Sequence, residues 1–204
     1  RGKMQNSAAV GAMLVTRMLR AYPGAAAVYT VFTSKVYEEA IARAGGVAKK
    51  ARVGHAFIKE TMREHDALFA CEHSGHFYFR DNYYADSVWL TLRHVLAAME
   101  EEQKSLTELL RPYTYYTQTE EVLVKVANKT QVLKQLAERH KQTAKRVVRY
   151  DGVSVYYDDV WFAVKPSVTE DALKFVVEAP KGSIARQQKK EIHRLLTELD
   201  TANQ

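Results

Sequence analysis

The sequence has one cysteine, Cys71, among 204 residues, and it has no long hydrophobic run. A single cysteine excludes a disulfide within the chain, and reduced thiols are usual in the cytoplasm. The longest apolar stretches, such as residues 25–28, are far shorter than the ~20 residues of a membrane-spanning helix. The basic residues at the start are not followed by the apolar core of a signal peptide. We therefore expect a cytoplasmic protein with no membrane partner.

Acidic residues are fewer than basic ones, and the formal net charge is +6. Hydrophobic residues make up 47% and charged residues 26%, as in ordinary globular proteins. The basic residues concentrate in segments 129–149 and 181–194, and stacking aromatic side chains are not interleaved with them. Nucleic-acid binding is therefore disfavoured, and exposed helix faces or anionic metabolites explain the charge better.

The first half of the chain alternates helical patterns with short apolar strands. Helices are predicted over 7–21, 35–44, 56–65 and 85–102, and strands over 25–29, 47–53 and 67–71. Chain breakers such as Pro23-Gly24 and Gly45-Gly46 separate them. This alternation predicts that residues 1–110 form an α/β domain with a mixed, largely parallel sheet.

The second half has a different pattern, rich in Val, Tyr, Phe and Trp. Strands are predicted over 120–126, 147–157, 161–164 and 173–178, and helices over 132–140 and 184–199. Asp151-Gly152 predicts a hairpin turn within one of the strand-like runs. Residues 111–204 are therefore expected to form a smaller α+β domain with an antiparallel sheet, beginning where Arg111-Pro112 interrupts a helix.

One segment carries several reactive side chains directly after a predicted buried strand: Cys71-Glu72-His73-Ser74-Gly75-His76. In open parallel sheets, ligands bind beyond the carboxyl ends of the strands, so a site is expected here. Glu72 can accept hydrogen bonds from two vicinal hydroxyls, and Ser74 can donate or accept one. His76 can donate to a phosphate or transfer a proton near neutral pH. From the residues alone, a polar turn whose side chains satisfy one another is an equal alternative.

Three segments of the chain occur in an order typical of one enzyme family. Val53-Gly54-His55-Ala56-Phe57-Ile58-Lys59 is similar to the pattern Thr/Val-Gly-His-Ser/Ala-x-Ile-Lys, and residues 71–76 are similar to Gly-Glu-Met-Ser-Gly-His. Lys165-Pro166-Ser167-Val168-Thr169-Glu170-Asp171 is similar to Arg-x-Ser-Asn-Thr-Glu-Pro. Together they resemble the α-D-phosphohexomutases of the phosphomannomutase/phosphoglucomutase type. The resemblance covers nearly the whole chain, as most of the third domain plus the fourth domain.

The resemblance assigns a sugar-binding role to the first two segments. Glu72 and Ser74 would hold sugar hydroxyls, while His55 and His76 would line the active site and support catalysis. On the residues alone, a helix-capping role is an alternative for His55.

The resemblance assigns a phosphate-binding role to the third segment. Lys165, Ser167, Val168 and Thr169 would bind the non-reacting phosphate of the substrate. Hydroxyls and backbone N–H groups in a tight turn, completed by a cation, do form an anion cradle. A plain polar hairpin loop is the alternative.

Five positions depart from the family pattern. Phe32 stands where a basic residue is usual, and Lys165 replaces an arginine and so loses bidentate phosphate geometry. Val168 replaces an asparagine. Asp171 replaces a proline, and its charge is expected to weaken phosphate binding. Cys71 replaces a glycine, which is expected to alter how the loop leaves its strand.

The sequence also lacks two parts that the resemblance places in earlier domains, namely the phosphorylated serine and the three aspartates that bind Mg²⁺. No catalytic or metal-binding residue is therefore expected in this chain. Residues 1–4 resemble the tail of a hairpin just past the metal loop, so the third domain would lack its first strand and expose a sheet edge.

These observations predict the substrate-recognition part of a phosphomannomutase/phosphoglucomutase, which moves a phosphoryl group between C1 and C6 of a hexose phosphate. Its partners would be mannose or glucose 1- or 6-phosphate and the missing N-terminal domains, with Mg²⁺ bound by the parent enzyme. The chain alone is expected to be inactive, because phosphoryl transfer needs a donor and a metal. The alternative is a non-catalytic phosphosugar-binding or regulatory module.

Overall fold

The computed structural model describes residues 4–201, so residues 1–3 of the hairpin tail predicted over residues 1–4 lie outside the described residues. The chain divides into two compact units, which end and begin at Tyr115 and Tyr116. Within the described range, no helix combines the length and apolarity that crossing a membrane requires.

From residue 4 onward, the first unit contains five α-helices and five strands. The helices are α1 (Ser7–Ala21), α2 (Lys35–Arg43), α3 (His55–Glu64), α4 (Val88–Glu102) and α5 (Leu106–Leu110), and the strands are β1 (Ala26–Thr30), β2 (Val47–Ala51), β3 (Phe69–Cys71), β4 (Phe77–Phe79) and β5 (Ala85–Asp86). The strands form one sheet in the order β2-β1-β3-β4-β5. β1 runs parallel to β2 and β3, whereas β4 is antiparallel to β3 and β5. The predicted mixed α/β sheet is confirmed, with parallel pairing confined to its first three strands.

Two differences from the sequence prediction lie in the segment after β3. The aromatic run Phe77–Phe79 is a strand, and the sequence analysis had assigned no element to it. The helix expected from residue 85 begins at Val88, because Ala85 and Asp86 pair with β4 and Ser87 caps the helix by accepting a hydrogen bond from Leu90 N.

Helices cover both faces of the first sheet. α3 packs against one face through Ile58 and Met62, which share a buried cluster with Val28, Ala70 and Tyr78. α1 and α2 cover the other face, and the start of α1 is capped by Asn6 Oδ1, which accepts from the backbone N–H of Ala8. This layering places the carboxyl end of β3 beside the first residue of α3.

Cys71 closes β3 on the face covered by α1, and it is fully buried. A Cβ atom added at Gly11 of α1 would lie 2.6 Å from Cys71 Sγ, so a glycine in the facing helix makes room for the thiol. Burial, and secondarily the neighbouring Glu72 carboxylate, raises the pKa of the Cys71 thiol. The Cys71 side chain, at a position where the family pattern has glycine, is thus accommodated by packing within the first unit.

Up to residue 201, the second unit contains six strands and two α-helices. The strands are β6 (Thr117–Gln118), β7 (Val122–Lys125), β8 (Arg146–Arg149), β9 (Val153–Tyr156), β10 (Trp161–Pro166) and β11 (Ala172–Ala179), and the helices are α6 (Lys129–His140) and α7 (Gly182–Thr201). The sheet order is β6-β11-β10-β9-β8, with β7 also paired to β11. All these pairs are antiparallel. Val155, Phe162 and Phe175 belong to a buried cluster with Leu136 and Leu196 of the two helices. The predicted α+β fold with an antiparallel sheet is confirmed.

The turn between β8 and β9 lies unusually close to β10. Asp151 and Gly152 have φ angles of 48° and 115°, in the left-handed region that glycine tolerates best. A Cβ added at Gly152 would lie 2.2 Å from Val164 O and 2.8 Å from Lys165 Cα. The absence of a side chain at Gly152 therefore allows the turn to fold onto β10, next to Lys165.

We expect Gly152→Ala to lower the free energy of unfolding by about 3 kcal/mol, because the new Cβ adds a backbone clash to the strain of a positive φ angle. The matched control is Gly24→Ala, since Gly24 has a φ of 79° but no atom within 4 Å of an added Cβ. The control should cost about 1 kcal/mol. Urea denaturation measures both, and an equal loss in the two variants would show that the close approach at Gly152 is wrong.

Candidate functional site

The β3–β4 hairpin carries a tight loop over residues 72–76. Glu72 N donates to His76 O at 3.1 Å, and Gly75 N donates to Glu72 O at 3.1 Å. Gly75 has a φ of 87°, which allows the chain to turn back within so few residues. Ser7 Oγ, at the start of α1, donates to His73 O at 2.8 Å and ties the loop to the helix. The loop is thus fixed by its own backbone and by α1.

Glu72 is a buried carboxylate with a defined orientation. It is 5% exposed, and the Tyr78 hydroxyl donates to its Oε2 at 2.6 Å. Burial, followed by this hydrogen bond, raises the pKa of Tyr78, so the hydroxyl keeps its proton and remains a donor. Burying a carboxylate costs free energy unless hydrogen bonds replace its lost hydration. The hydrogen bond from Tyr78 meets this requirement and fixes the orientation of Glu72.

Two imidazoles and a hydroxyl surround the Glu72 carboxylate. His76 Nδ1 lies 3.7 Å from Glu72 Oε2 and 2.9 Å from Ser74 Oγ. The ring of His55 meets the His76 ring edge-on, with 4.9 Å between centroids, and contacts the Tyr78 ring at 5.4 Å. All four predicted sugar-binding residues, His55, Glu72, Ser74 and His76, therefore lie in one cluster.

His55 is the first residue of α3, but it does not cap that helix. Gly54 is the N-cap, and it makes no side-chain capping bond. The His55 ring instead places Nδ1 3.4 Å from Asp86 Oδ1 of β5. This contact supports the site interpretation over the capping alternative.

Two residues of this cluster were missed by the sequence analysis. Tyr78 follows His76 by two residues and could have been found from the strand pattern, had the Phe77–Phe79 run been assigned as a strand. Asp86 has no local signal, because only the pairing of β5 with β4 brings it to His55. Tyr78 and Asp86 both contact predicted site residues. The sequence analysis therefore missed the residues that orient the predicted ones.

The donor set of this cluster bears on metal binding. His55, Glu72 and His76 each offer one ligand atom, and these atoms lie within 4.8 Å of one another. Mg²⁺ prefers six oxygen ligands, so a site with two imidazole nitrogens does not fit it. The Mg²⁺ expected for the parent enzyme is therefore not assigned to this group.

The predicted phosphate loop connects β10 to β11. Ser167 N donates to Ala172 O at 2.9 Å, and Ser167 Oγ is buried with no hydrogen-bond partner within the part of the chain that the structure describes. Val168 is 92% exposed, and Thr169 is also exposed. Lys165 differs from these residues, because it is only 6% exposed and its Nζ lies 3.8 Å from Asp151 Oδ2. Lys165 is therefore buried and paired with Asp151, whereas Val168 and Thr169 of the same loop are exposed.

The structure shows what surrounds two of the residues that depart from the family pattern, Phe32 and Asp171. Phe32 is 2% exposed and belongs to the core of the first unit rather than to a binding surface. Asp171 Oδ1 accepts from Lys129 Nζ at 3.2 Å, so part of its negative charge is offset at the phosphate loop. This pair is exposed and its effect is modest.

The two basic segments carry many carboxylate partners. Lys141 and Arg149 contact Glu138, and Lys145 contacts Asp158. In α7, Lys189 and Arg194 contact Glu120 and Glu198. These pairs support the interpretation of the basic segments as exposed, mixed-charge helix faces.

Comparison with known proteins covers both units. Residues 6–116 match the family model described as phosphoglucomutase/phosphomannomutase, alpha/beta/alpha domain III. Residues 121–195 match the model described as phosphoglucomutase/phosphomannomutase, C-terminal domain.

Similar proteins agree with these matches. A phosphomannomutase of Methanocaldococcus jannaschii is 36% identical over 191 residues, which are 94% of this chain and 42% of that protein. A phosphomannomutase of Escherichia coli K12 is 31% identical over 82% of this chain and 37% of its own length. A crystal structure of a phosphoglucomutase/phosphomannomutase family protein from Burkholderia thailandensis has a TM-score of 0.82 at 23% identity, covering 97% of this chain and 43% of that one.

The chain thus spans about two-fifths of the length of the curated relatives it matches. The first family model alone covers more than half of the chain, and the second accounts for most of the remainder. The mixed sheet of the first unit and the antiparallel sheet of the second agree with the order of the two matched domains. The chain belongs to the phosphoglucomutase/phosphomannomutase family and comprises its third and C-terminal domains.

Proposed function

We propose that the chain is the substrate-recognition part of a phosphomannomutase/phosphoglucomutase. The observation that carries this proposal is the buried Glu72 carboxylate, which Tyr78 orients beside His55, Ser74 and His76. A fixed carboxylate next to a hydroxyl and two imidazoles can hold the vicinal hydroxyls of a sugar. The names of the similar proteins, phosphomannomutases in two cases, supply the substrate class.

The parent enzyme would transfer a phosphoryl group between C1 and C6 of a hexose phosphate. In that reaction Glu72 and Ser74 would hold sugar hydroxyls, and His55 and His76 would hold or move protons at the rim of the site. Ser167, Val168 and Thr169 would form the phosphate-binding loop, with Lys165 as its cation. The phosphorylated serine and the Mg²⁺ site would belong to the N-terminal domains, in the cytoplasm.

We expect no mutase activity from the 204-residue chain by itself, because phosphoryl transfer depends on groups outside it. Recognition can be tested separately from catalysis, by measuring the binding of mannose 6-phosphate to the chain with NMR or calorimetry. Interconversion of mannose 1- and 6-phosphate by the pure chain would contradict the assignment of catalysis to other domains.

The first binding prediction concerns Glu72. We expect Glu72→Gln to raise the Kd for mannose 6-phosphate by about tenfold or more, because a hydrogen bond to a charged group contributes about 1.5–3 kcal/mol. Glutamine keeps the size of the side chain and an acceptor for Tyr78, so the fold should be retained. The matched control is Glu64→Gln at the end of α3, which should leave the Kd unchanged. Equal affinity of the two variants would show that Glu72 does not contact the sugar.

A non-catalytic phosphosugar-binding or regulatory module is the second candidate, and the contact between Lys165 and Asp151 favours it. A carboxylate 3.8 Å from the only cation predicted for the loop competes with phosphate for that cation. The buried Phe32 also favours the module candidate, because an apolar side chain stands where the family pattern has a basic one.

The competition between Asp151 and phosphate gives a second binding prediction. We expect Asp151→Asn to tighten the binding of inorganic phosphate several-fold if Lys165 is the cation of the loop, because the substitution removes the competing charge. Asparagine tolerates the left-handed φ angle of this position, so the turn should survive. Asp158→Asn, which breaks an exposed pair with Lys145, is the control. If neither substitution changes phosphate affinity, Lys165 is a structural residue and the module candidate gains support.

A further inference from the structure

The β3–β4 loop and the start of α3 bring together a donor set that sugar binding does not require. His55 and His76 contribute imidazoles and Glu72 contributes a carboxylate, with ligand atoms within 4.8 Å of one another. Two imidazoles and one carboxylate are the ligands of many zinc and non-haem iron sites. All three residues belong to the first unit, so the cluster is complete within one compact body.

One of the three distances between ligand atoms is close to that of a tetrahedral site, and the other two are no longer than 4.8 Å. Ligands at zinc–nitrogen and zinc–oxygen bond lengths lie about 3.4 Å from one another. His76 Nδ1 is 3.7 Å from Glu72 Oε2. The His55 and His76 side chains are 50% and 45% exposed, so their rings can rotate by the small amount that closing the site requires. Glu72 is the fixed member, because it is buried and hydrogen-bonded to Tyr78.

Two of the three donors have a second polar partner outside the group. Asp86 Oδ1 lies 3.4 Å from His55 Nδ1, which leaves His55 Nε2 for the metal, and the Tyr78 hydroxyl donates to Glu72. Ser74 Oγ lies 2.9 Å from His76 Nδ1, the nitrogen nearest Glu72, so a metal bound through Nδ1 would replace that hydrogen bond. Histidines that bind metals usually have their other ring nitrogen engaged by a carboxylate or another acceptor, which fixes the tautomer. A polar turn satisfied only by itself would not need Asp86 from a different strand.

The charges also suit a divalent cation. Glu72 and Asp86 together provide two negative charges, which would balance the ion when both histidines are neutral. Neutral imidazole is the form that binds metal. Imidazole ligands favour zinc, copper, nickel and iron over magnesium.

We propose that His55, Glu72 and His76 form a binding site for one divalent transition metal ion, of which Zn²⁺ is the best fit, with Asp86 and Tyr78 as positioning residues. Its two nitrogen ligands distinguish this site from a Mg²⁺ site. The fourth position of the metal is left for water. The metal site stands whether or not the loop binds a sugar.

The test uses the full 204-residue chain without an affinity tag that binds metals. Zn²⁺ is titrated by calorimetry, and Co²⁺ serves as a spectroscopic substitute whose visible absorption reports four-coordinate geometry. We expect one ion per chain, and we expect His55→Ala and His76→Ala each to weaken Zn²⁺ binding at least tenfold. Asp86→Asn should weaken it by about tenfold, as is usual for a residue that orients a metal ligand.

The controls are histidines outside the cluster. His73→Ala changes a histidine of the same loop, and His193→Ala changes an exposed histidine of α7. Both should bind Zn²⁺ like the unsubstituted chain. If His55→Ala and His76→Ala also bind like the unsubstituted chain, or if binding follows the total number of histidines, the proposal is overturned and the ion is adventitious.

A second measurement relates this site to the proposed sugar site, and this step rests on the proposed function. If both ligands use Glu72, mannose 6-phosphate should weaken Zn²⁺ binding more than inorganic phosphate does at the same concentration. Loss of Zn²⁺ binding in the His55 and His76 variants without such competition would keep the metal site and count against the sugar site. Binding of mannose 6-phosphate by a chain that takes up no Zn²⁺ would overturn the metal site and keep the sugar site.

Discussion

The candidate site depends on one buried hydrogen bond, from the Tyr78 hydroxyl to Glu72 Oε2. A carboxylate that is 5% exposed loses most of its hydration, so without a donor it would turn outward to water. Tyr78 is able to supply that donor because β4 pairs with β3 and places the ring in the cluster beneath α3. The same cluster contains Ile58 and Met62, so the packing that buries Tyr78 also positions α3 and its first residue, His55. Fold and site are therefore determined by the same contacts.

In the second unit a partly buried carboxylate, that of Asp151, pairs with a buried cation. The close approach of Gly152 to β10 brings the Asp151 carboxylate to within 3.8 Å of Lys165 Nζ. In the first unit, a tyrosine holds the acidic group and leaves the histidines beside it exposed. In the second unit, an acidic group holds the cation on which the phosphate loop would depend. The loop at residues 72–76 therefore has exposed histidines beside its carboxylate, whereas the cation of the loop at residues 165–171 is already paired with Asp151.

Much of the architecture could be predicted from the sequence, because it follows from local patterns. The helix over 7–21 has its predicted bounds, and the antiparallel sheet follows from the Val- and Tyr-rich runs. β4 was missed because three consecutive buried aromatic residues show no alternation. Asp86 and the pairing of Lys165 with Asp151 were missed because they depend on contacts between distant segments. The sequence motifs therefore indicated which residues form the site, whereas their orienting partners required the structure.

Recognition of a phosphorylated sugar by the Glu72 carboxylate would depend on the Tyr78 hydroxyl. The most direct measurement is the Kd of mannose 6-phosphate for the chain with Tyr78→Phe, which removes one oxygen and leaves the ring in the buried cluster. Native far-UV circular dichroism and an unchanged contact of the ring with His55 by NMR would establish that the unit remains folded. We expect about tenfold weaker binding, because the carboxylate loses the donor that orients it. Unchanged affinity in a folded variant would show that sugar recognition does not depend on Tyr78.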